Sequence, residues 1–178
     1  DSIFEGKNVY DVRKKIGHQL ANENLSDKEL VDIVIPIPDS GNASALGFAE
    51  RIKKKFEFGI IRNHYTGRTF IQDSNSIRHL AVKLKHNPNL ASLQGKSIAL
   101  IDDSIVRGTT SVKIVEMLRN SGVKKIHMRI ASPPVKYPCY YGIDTPTKKE
   151  LLASRYTIKE ITDYIGCLLY TSPSPRDA

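Results

Sequence analysis

The run Ile98-Ala-Leu-Ile-Asp-Asp-Ser-Ile-Val-Arg-Gly-Thr-Thr110 joins an apolar strand to a pair of acids and then to a hydroxyl-rich glycine turn that opens a helix. Ile98 to Ile101 fit a strand buried on both faces, and the amphipathic stretch Ser111 to Leu118 fits the helix after the turn. Asp102 and Asp103 therefore stand at the carboxyl end of a strand, where open α/β sheets bind their ligands. Gly108 lets backbone N–H groups come close to an anion, Thr109 and Thr110 add hydroxyl donors, and the helix N-terminus contributes a favourable dipole. Together they suit a phosphate monoester. The carboxylates suit the other end of a sugar phosphate, because vicinal hydroxyls can donate to them and they can stabilise developing positive charge. Helix capping alone does not account for the pattern: neighbouring strand side chains point to opposite faces, so a cap needs only one acid, and the Arg-Gly-Thr-Thr that follows would be superfluous.

Outward from this run, periodicity predicts a helix from about Val9 to Asn24, a strand at Asp32 to Pro36, a helix from about Ala43 to Lys54 and a strand near Phe58 to Ile61. A loop to about Asn75 and a helix through Leu84 precede the central strand, and a strand at Lys125 to Ala131 and two short helices within Lys148 to Ile165 follow it. Strands alternating with helices predict an α/β fold, a mainly parallel sheet with helices on both faces. Pro38-Asp39-Ser40-Gly41 follows a buried strand and opens a helix, so its turn can present N–H groups and the Ser40 hydroxyl to an anion or its metal. Arg62 to Gln72, polar and rich in glycine and basic residues, suits a lid that excludes water. Arg68, Arg78, Lys83 and Lys85 are candidates to neutralise a polyanion.

The Asp102–Thr110 run resembles the signature of the type I phosphoribosyltransferases, which bind 5-phosphoribosyl 1-pyrophosphate (PRPP). Ile35-Pro-Ile-Pro-Asp-Ser-Gly41, Asn63-His-Tyr-Thr-Gly-Arg-Thr-Phe-Ile-Gln72 and Ser132-Pro-Pro-Val-Lys-Tyr-Pro-Cys-Tyr-Tyr-Gly-Ile-Asp-Thr-Pro146 are similar to segments of the glutamine phosphoribosylpyrophosphate amidotransferase family. The resemblance runs from Asp1 to about Gly166; Arg62, His64 and Asp73 depart from it. It implies the type I phosphoribosyltransferase fold and the first step of de novo purine synthesis. PRPP, glutamine and water would become 5-phosphoribosylamine, pyrophosphate and glutamate.

The same resemblance implies PRPP contacts from Ser40, Gly41, Arg68, Lys83, Asp102, Asp103, Ser104, Val106, Arg107, Gly108, Thr109 and Thr110, with Asp102 and Asp103 catalytic. It implies Mg2+ near Ser40, Asp102 and Asp103, ammonia delivered by an N-terminal glutaminase domain, inhibition by purine nucleotides and a homotetramer. Cys139, in Pro-Cys-Tyr-Tyr-Gly-Ile-Asp, resembles one ligand of a [4Fe–4S] cluster in one branch of the family. Such a cluster takes four thiolates, so its other ligands would lie elsewhere.

Composition is compatible with this reading. The chain of 178 residues suffices for one core. Its net charge of +8 and pI near 9.5 would suit nucleic acid, but the basic residues are dispersed without a reading motif, and a polyanionic small substrate explains the excess as well. Two cysteines make no disulfide framework, no apolar run is long enough to span a membrane, and the cytoplasm is the expected location. Asp1 and the residues after it resemble an interior part of the family, so the chain is expected to be a fragment with its phosphoribosyltransferase domain at residues 1–166. Residues 167–178 break from the pattern and are expected to be a non-native tail, because the codons TGT CTC TTA TAC ACA TCT encode Cys167 to Ser172 and also spell a transposase adapter end. Two rivals share the cradle: a nucleobase-salvage phosphoribosyltransferase, which would not carry the Tyr65–Ile71 and Pro138–Pro146 segments, and a PRPP-sensing regulator joined to a DNA-binding domain.

Overall fold

The computed structural model describes residues 2–63, 86–139 and 147–171. A small antiparallel hairpin, β1 (Ile3–Phe4) and β2 (Lys7–Asn8), leads into helix α1 (Val9–Glu23), whose first turn is capped by the Asn8 side chain. After the short helix α2 (Asp27–Leu30) come β3 (Ile33–Pro36), helix α3 (Asn42–Ile52), β4 (Lys55–Phe56), β5 (Ile60–Arg62), β6 (His86–Pro88) and the short helix α4 (Leu90–Leu93). Then follow β7 (Ser97–Asp102), helix α5 (Thr109–Asn120), β8 (Lys125–Ile130), the short helix α6 (Leu152–Arg155), helix α7 (Ile158–Ile165) and β9 (Leu168–Thr171). Among the described residues, β4, β3, β7, β8 and β9 pair in that order, every pair parallel. Parallel strands need crossovers, and the helices supplying them cover both faces.

Alternation along the strands divides the apolar residues between two cores. Ile33, Ile35, Ile98, Leu100, Ile126 and Met128 face α5 and α7, meeting Ile114, Leu118, Ile161 and Ile165. Val34, Ala99 and Ile101 face α1 and α3, meeting Leu20, Ala45, Phe48 and Ile52. Every residue of β7 is buried, as its apolar run requires.

Helices α1 and α3 cross with almost no side chain between them. A Cβ on Gly17 would stand 2.0 Å from the Ser44 carbonyl oxygen, and one on Gly47 would stand 2.0 Å from that of Lys14. The Ser44 hydroxyl donates to the Arg13 carbonyl, and Glu50 pairs with Lys14 (2.7 Å) and His18 (3.0 Å) beside the crossing. On the same face of the sheet, Arg129 of β8 donates two hydrogen bonds to Asp27, at 2.7 and 2.8 Å, in a pair that is 7% and 0% exposed. Its remaining guanidinium nitrogen donates to the Leu168 carbonyl, holding β9.

Most predicted elements agree with the structure to within two residues. The strand expected near Phe58 to Ile61 is present at Ile60–Arg62, but it forms an antiparallel ribbon with His86–Pro88 outside the parallel sheet, whose edge is Lys55–Phe56. Gly59 lies between the two strands and packs closely on the core, where a Cβ would meet Leu93 Cδ2 at 2.8 Å and Ile35 Cγ2 at 2.9 Å. The loop and helix expected between Asn63 and Leu84 lie, after residue 63, outside the described residues. β9 falls within the segment expected to be a tail; its pairing with β8 is a backbone ladder.

Replacing Gly47 by Ala forces backbone apart at the crossing and is expected to lower stability by about 1–3 kcal/mol. Urea denaturation of the two proteins measures it, and an unchanged midpoint would mean that the helices separate freely.

Candidate functional site

Strands β3 and β7 are neighbours in register, Pro36 opposite Ile101, so the turns leaving their carboxyl ends lie side by side. The first turn is closed by the Gly41 N–H donating to the Ile37 carbonyl (3.0 Å), while the Ile37 N–H donates to the Ile101 carbonyl (2.8 Å). A Cβ on Gly41 would stand 2.5 Å from the Ile101 carbonyl oxygen. Glycine is thus required by contact with the neighbouring strand, at an ordinary φ of −77°. The Pro38–Asp39 peptide is cis, and the Asp39 carboxylate accepts from the Arg62 guanidinium at 2.6 Å.

The second turn begins at the acid pair. Asp102 is 9% exposed, and its Oδ1 accepts the Asp103 N–H at 2.9 Å. Burial, together with the neighbouring Asp103 carboxylate, pushes its pKa well above the usual carboxylate range. Asp103 is half-buried and accepts from the Ser104 hydroxyl at 3.3 Å. Main-chain bonds from Ala131 N–H to the Asp102 carbonyl (3.0 Å) and from Ser132 N–H to the Asp103 carbonyl (2.9 Å) fix the pair to the chain leaving β8.

Beyond the acids, Ile105 is buried in the core and the Val106 carbonyl accepts the Leu152 N–H at 2.9 Å, so the turn is pinned at its middle. Arg107 is exposed, 3.6 Å from Glu150. Gly108 has φ +74°, a left-handed conformation that favours glycine, and a Cβ there would stand 2.6 Å from Leu152 Cδ2. Thr109 and Thr110 are exposed in the first turn of α5.

The two helices that open here carry no side-chain cap at their N-termini, whereas Asn8 caps α1 and Thr157 caps α7. Two sets of first-turn amides therefore converge on one end of the sheet beside a carboxylate pair. That arrangement suits a ligand with an anionic group at each end and hydroxyls between.

The structure brings together Ser40, Gly41, Asp102, Asp103, Ser104, Val106, Arg107, Gly108, Thr109 and Thr110, all on these two turns or the helix start. Arg68, Arg78, Lys83 and Lys85 lie outside the described residues. Sequence reasoning missed the Arg62–Asp39 pair and the support of the second turn by Leu152 and Glu150. Chain separation of 23 and about 45 residues leaves no local pattern to find. Cys139 is half-buried, and Cys167 is buried, its thiol pushed up to about 11 by burial.

Residues 3–132 match the phosphoribosyl transferase domain family. The chain is 50% identical over 167 residues to the amidophosphoribosyltransferase of Rhizobium etli, covering 93% of this chain and 33% of that protein. It is 52% identical over 167 residues to the chloroplastic amidophosphoribosyltransferase 2 of Arabidopsis thaliana, covering 94% and 29%. The glutamine PRPP amidotransferase from B. subtilis, solved in complex with ADP and GMP, superposes with a TM-score of 0.85 at 43% identity over 96% of this chain and 37% of that one. The chain spans about a third of the length of the curated relatives it matches.

The state of Asp102 is open to a stability measurement. Its carboxyl keeps a proton in the folded protein to higher pH than the ordinary 3.8 of an unfolded chain. Its contribution to stability is therefore complete below that ordinary value and is lost as pH rises through the raised one. Asp102→Asn, neutral throughout, is expected to raise the urea midpoint at pH 7, and the gain should shrink toward pH 4. A pH-independent difference would place the cause in packing instead.

Proposed function

The chain belongs to the phosphoribosyl transferase domain family, and from that premise we propose that it carries the phosphoribosyl-transfer site of an amidophosphoribosyltransferase. In the whole enzyme, PRPP, glutamine and water become 5-phosphoribosylamine, pyrophosphate and glutamate, and this chain serves the step in which ammonia meets PRPP. The observation that carries the reading is the convergence of two uncapped helix starts on the Asp102–Asp103 pair.

Amides at the start of α3, with Ser40 and Gly41, hold the diphosphate; Gly108, Thr109 and Thr110 hold the 5′-phosphate. The carboxylate pair accepts from the ribose hydroxyls and stabilises the positive charge that develops at C1 as its bond to the diphosphate breaks. Ammonia forms the new C1–N bond from the opposite face and then loses a proton. It is already a competent nucleophile, so no strong general base is needed. Arg68 and Lys83 neutralise the diphosphate, with further contacts from Ser104, Val106 and Arg107.

Magnesium on the diphosphate makes it a better leaving group. The hard oxygen donors of Ser40, Asp102 and Asp103 fit such an ion. No group of three or more His, Cys, Asp or Glu side chains gathers into a metal site among the described residues. A [4Fe–4S] cluster does not fit this chain alone, because it takes four thiolates and the sequence has two cysteines. Cys139 is proposed as one ligand, the others lying outside this chain.

The remaining parts of the reading are an ammonia-delivering glutaminase domain, purine nucleotide inhibitors, a homotetramer and a cytoplasmic location. No described helix is long and apolar enough to cross a membrane. Residues 1–166 are proposed as the domain itself and 167–178 as an adapter-encoded tail, supported by the break from the family pattern at Cys167.

Asp102→Asn combined with Asp103→Asn in the full-length enzyme is expected to reduce phosphoribosylamine formation from ammonia by at least about a hundredfold while glutamine hydrolysis persists. Near-normal synthesis would remove the carboxylates from the mechanism. Cys139→Ser in the full-length protein, purified anaerobically, is expected to lose the brown colour and the iron content of about four per chain; retention of both would make Cys139 an ordinary half-buried thiol.

A further inference from the structure

Two groups of large apolar side chains stand in water near residue 1. On the β1–β2 hairpin Ile3 is 72% and Phe4 70% exposed, and on α1 Val12 and Ile16, one turn apart, are 37% and 39% exposed. The helix buries Gly17, Leu20 and Ala21 on the side that meets α3, so Val12 and Ile16 belong to a second apolar side left partly in water. The hairpin is a poor one by itself. It pairs only Ile3 with Asn8 and Phe4 with Lys7, and its central residues Glu5 and Gly6 have φ of +48° and +74°. Two positive φ values mark the tight hairpin turn that asparagine, aspartate and glycine favour, and glutamate enters the left-handed region without that advantage. A two-stranded ribbon is marginal in water even with good turn residues.

We propose that Ile3, Phe4, Val12 and Ile16 form a docking surface for the rest of the polypeptide that the longer relatives carry. The occupant is the glutaminase domain of the reading above, on which the inference rests for that identity. This chain spans about a third of those relatives, so the larger part of their length lies outside the matched stretch. A domain joined ahead of residue 1 meets the hairpin first. A second copy of this chain fits less well: a stable contact between separate molecules buries about 1,000 Å² or more, which a short hairpin and two part-exposed helix residues do not offer. A tethered domain is at an effective concentration of about millimolar and is held by far fewer contacts. Because α1 packs on α3, which opens after Ser40 and Gly41, a domain seated on α1 is held at a fixed distance from the transfer site.

Hydroxyl-radical footprinting of the wild-type full-length protein reads the surface directly. Phe4 is expected to be oxidised at least about tenfold more slowly than in a free peptide of residues 1–8, as in an interface that excludes water, and to stay protected on dilution because the occupant is tethered. Oxidation as fast as in the peptide would overturn the proposal, and so would protection lost on dilution, which would make the occupant a second copy. In the full-length enzyme, Phe4→Glu with Ile16→Glu is expected to lower glutamine-dependent phosphoribosylamine formation at least about tenfold, since a carboxylate is not buried there without a partner and ammonia then escapes to solvent. Ammonia-dependent formation and glutamine hydrolysis should each stay within about threefold of wild type. Unchanged glutamine-dependent synthesis, or an equal fall with ammonia, would overturn the docking role. If the double variant does not fold, Phe4→Ser and Ile16→Ser singly carry the same comparison. A wild-type enzyme that makes no phosphoribosylamine from ammonia would instead overturn the phosphoribosyl-transfer reading, while the footprint still reports whether the surface is covered.

Discussion

The structure depends on the complete burial of one strand. Ser97–Asp102 lies between β3 and β8, with Ile98 and Leu100 in one core and Ala99 and Ile101 in the other. Each large aliphatic side chain taken from water in this way contributes about 1.5–3 kcal/mol, and together they pay for carrying a carboxylate into the end of the same strand. Asp102 is thereby drawn to the boundary between core and solvent, where its ionised form is disfavoured and the Asp103 N–H partly offsets the cost. The site follows from this placement: a strand less firmly held could not present a buried acid at a fixed height above the sheet.

The central strand, the helix after it and the two turns were legible because their signals are local. Four apolar residues before two acids, and glycine with hydroxyls before an amphipathic helix, report burial, strand end and helix start within thirteen positions. Ser40 and Gly41 were legible for the same reason. The fate of Phe58–Ile61 was not, because a short apolar run reads alike as a central strand or as a ribbon. The deciding contact, Gly59 against Leu93 and Ile35, joins residues far apart in the chain. The reason for glycine at position 108 was likewise only half visible: room for an anion could be read from the run, whereas the left-handed backbone and the crowding by Leu152 could not.

Electrostatics organises the periphery differently from the site. Asp27 and Arg129 form a bidentate pair closed off from solvent, and Arg129 also reaches the Leu168 carbonyl. Removing one member of such a pair leaves an uncompensated buried charge, at a cost of about 3–5 kcal/mol. His127, buried two residues before Arg129 with no partner for its Nε2 among the described residues, is kept neutral: burial first and the Arg129 charge second push its pKa down. Near the ligand site the exposed charges Asp39 with Arg62 and Arg107 with Glu150 pair in contact with water, where exchange of partners costs little.

The glycine crossing of α1 over α3 has a mechanical meaning. α3 starts at the Ser40–Gly41 turn, and its Ser44 carbonyl, in the first turn of that helix, rests directly on Gly17 of α1. Backbone packed on backbone has no rotamers to yield, and close-packed interiors pass strain on. The pair is a stiff unit, one arm running from Val9 at the hairpin and the other ending at Asn42 beside Ser40. The hairpin end of α1 and the amides at the start of α3 are therefore tied to one another through main chain rather than through side chains.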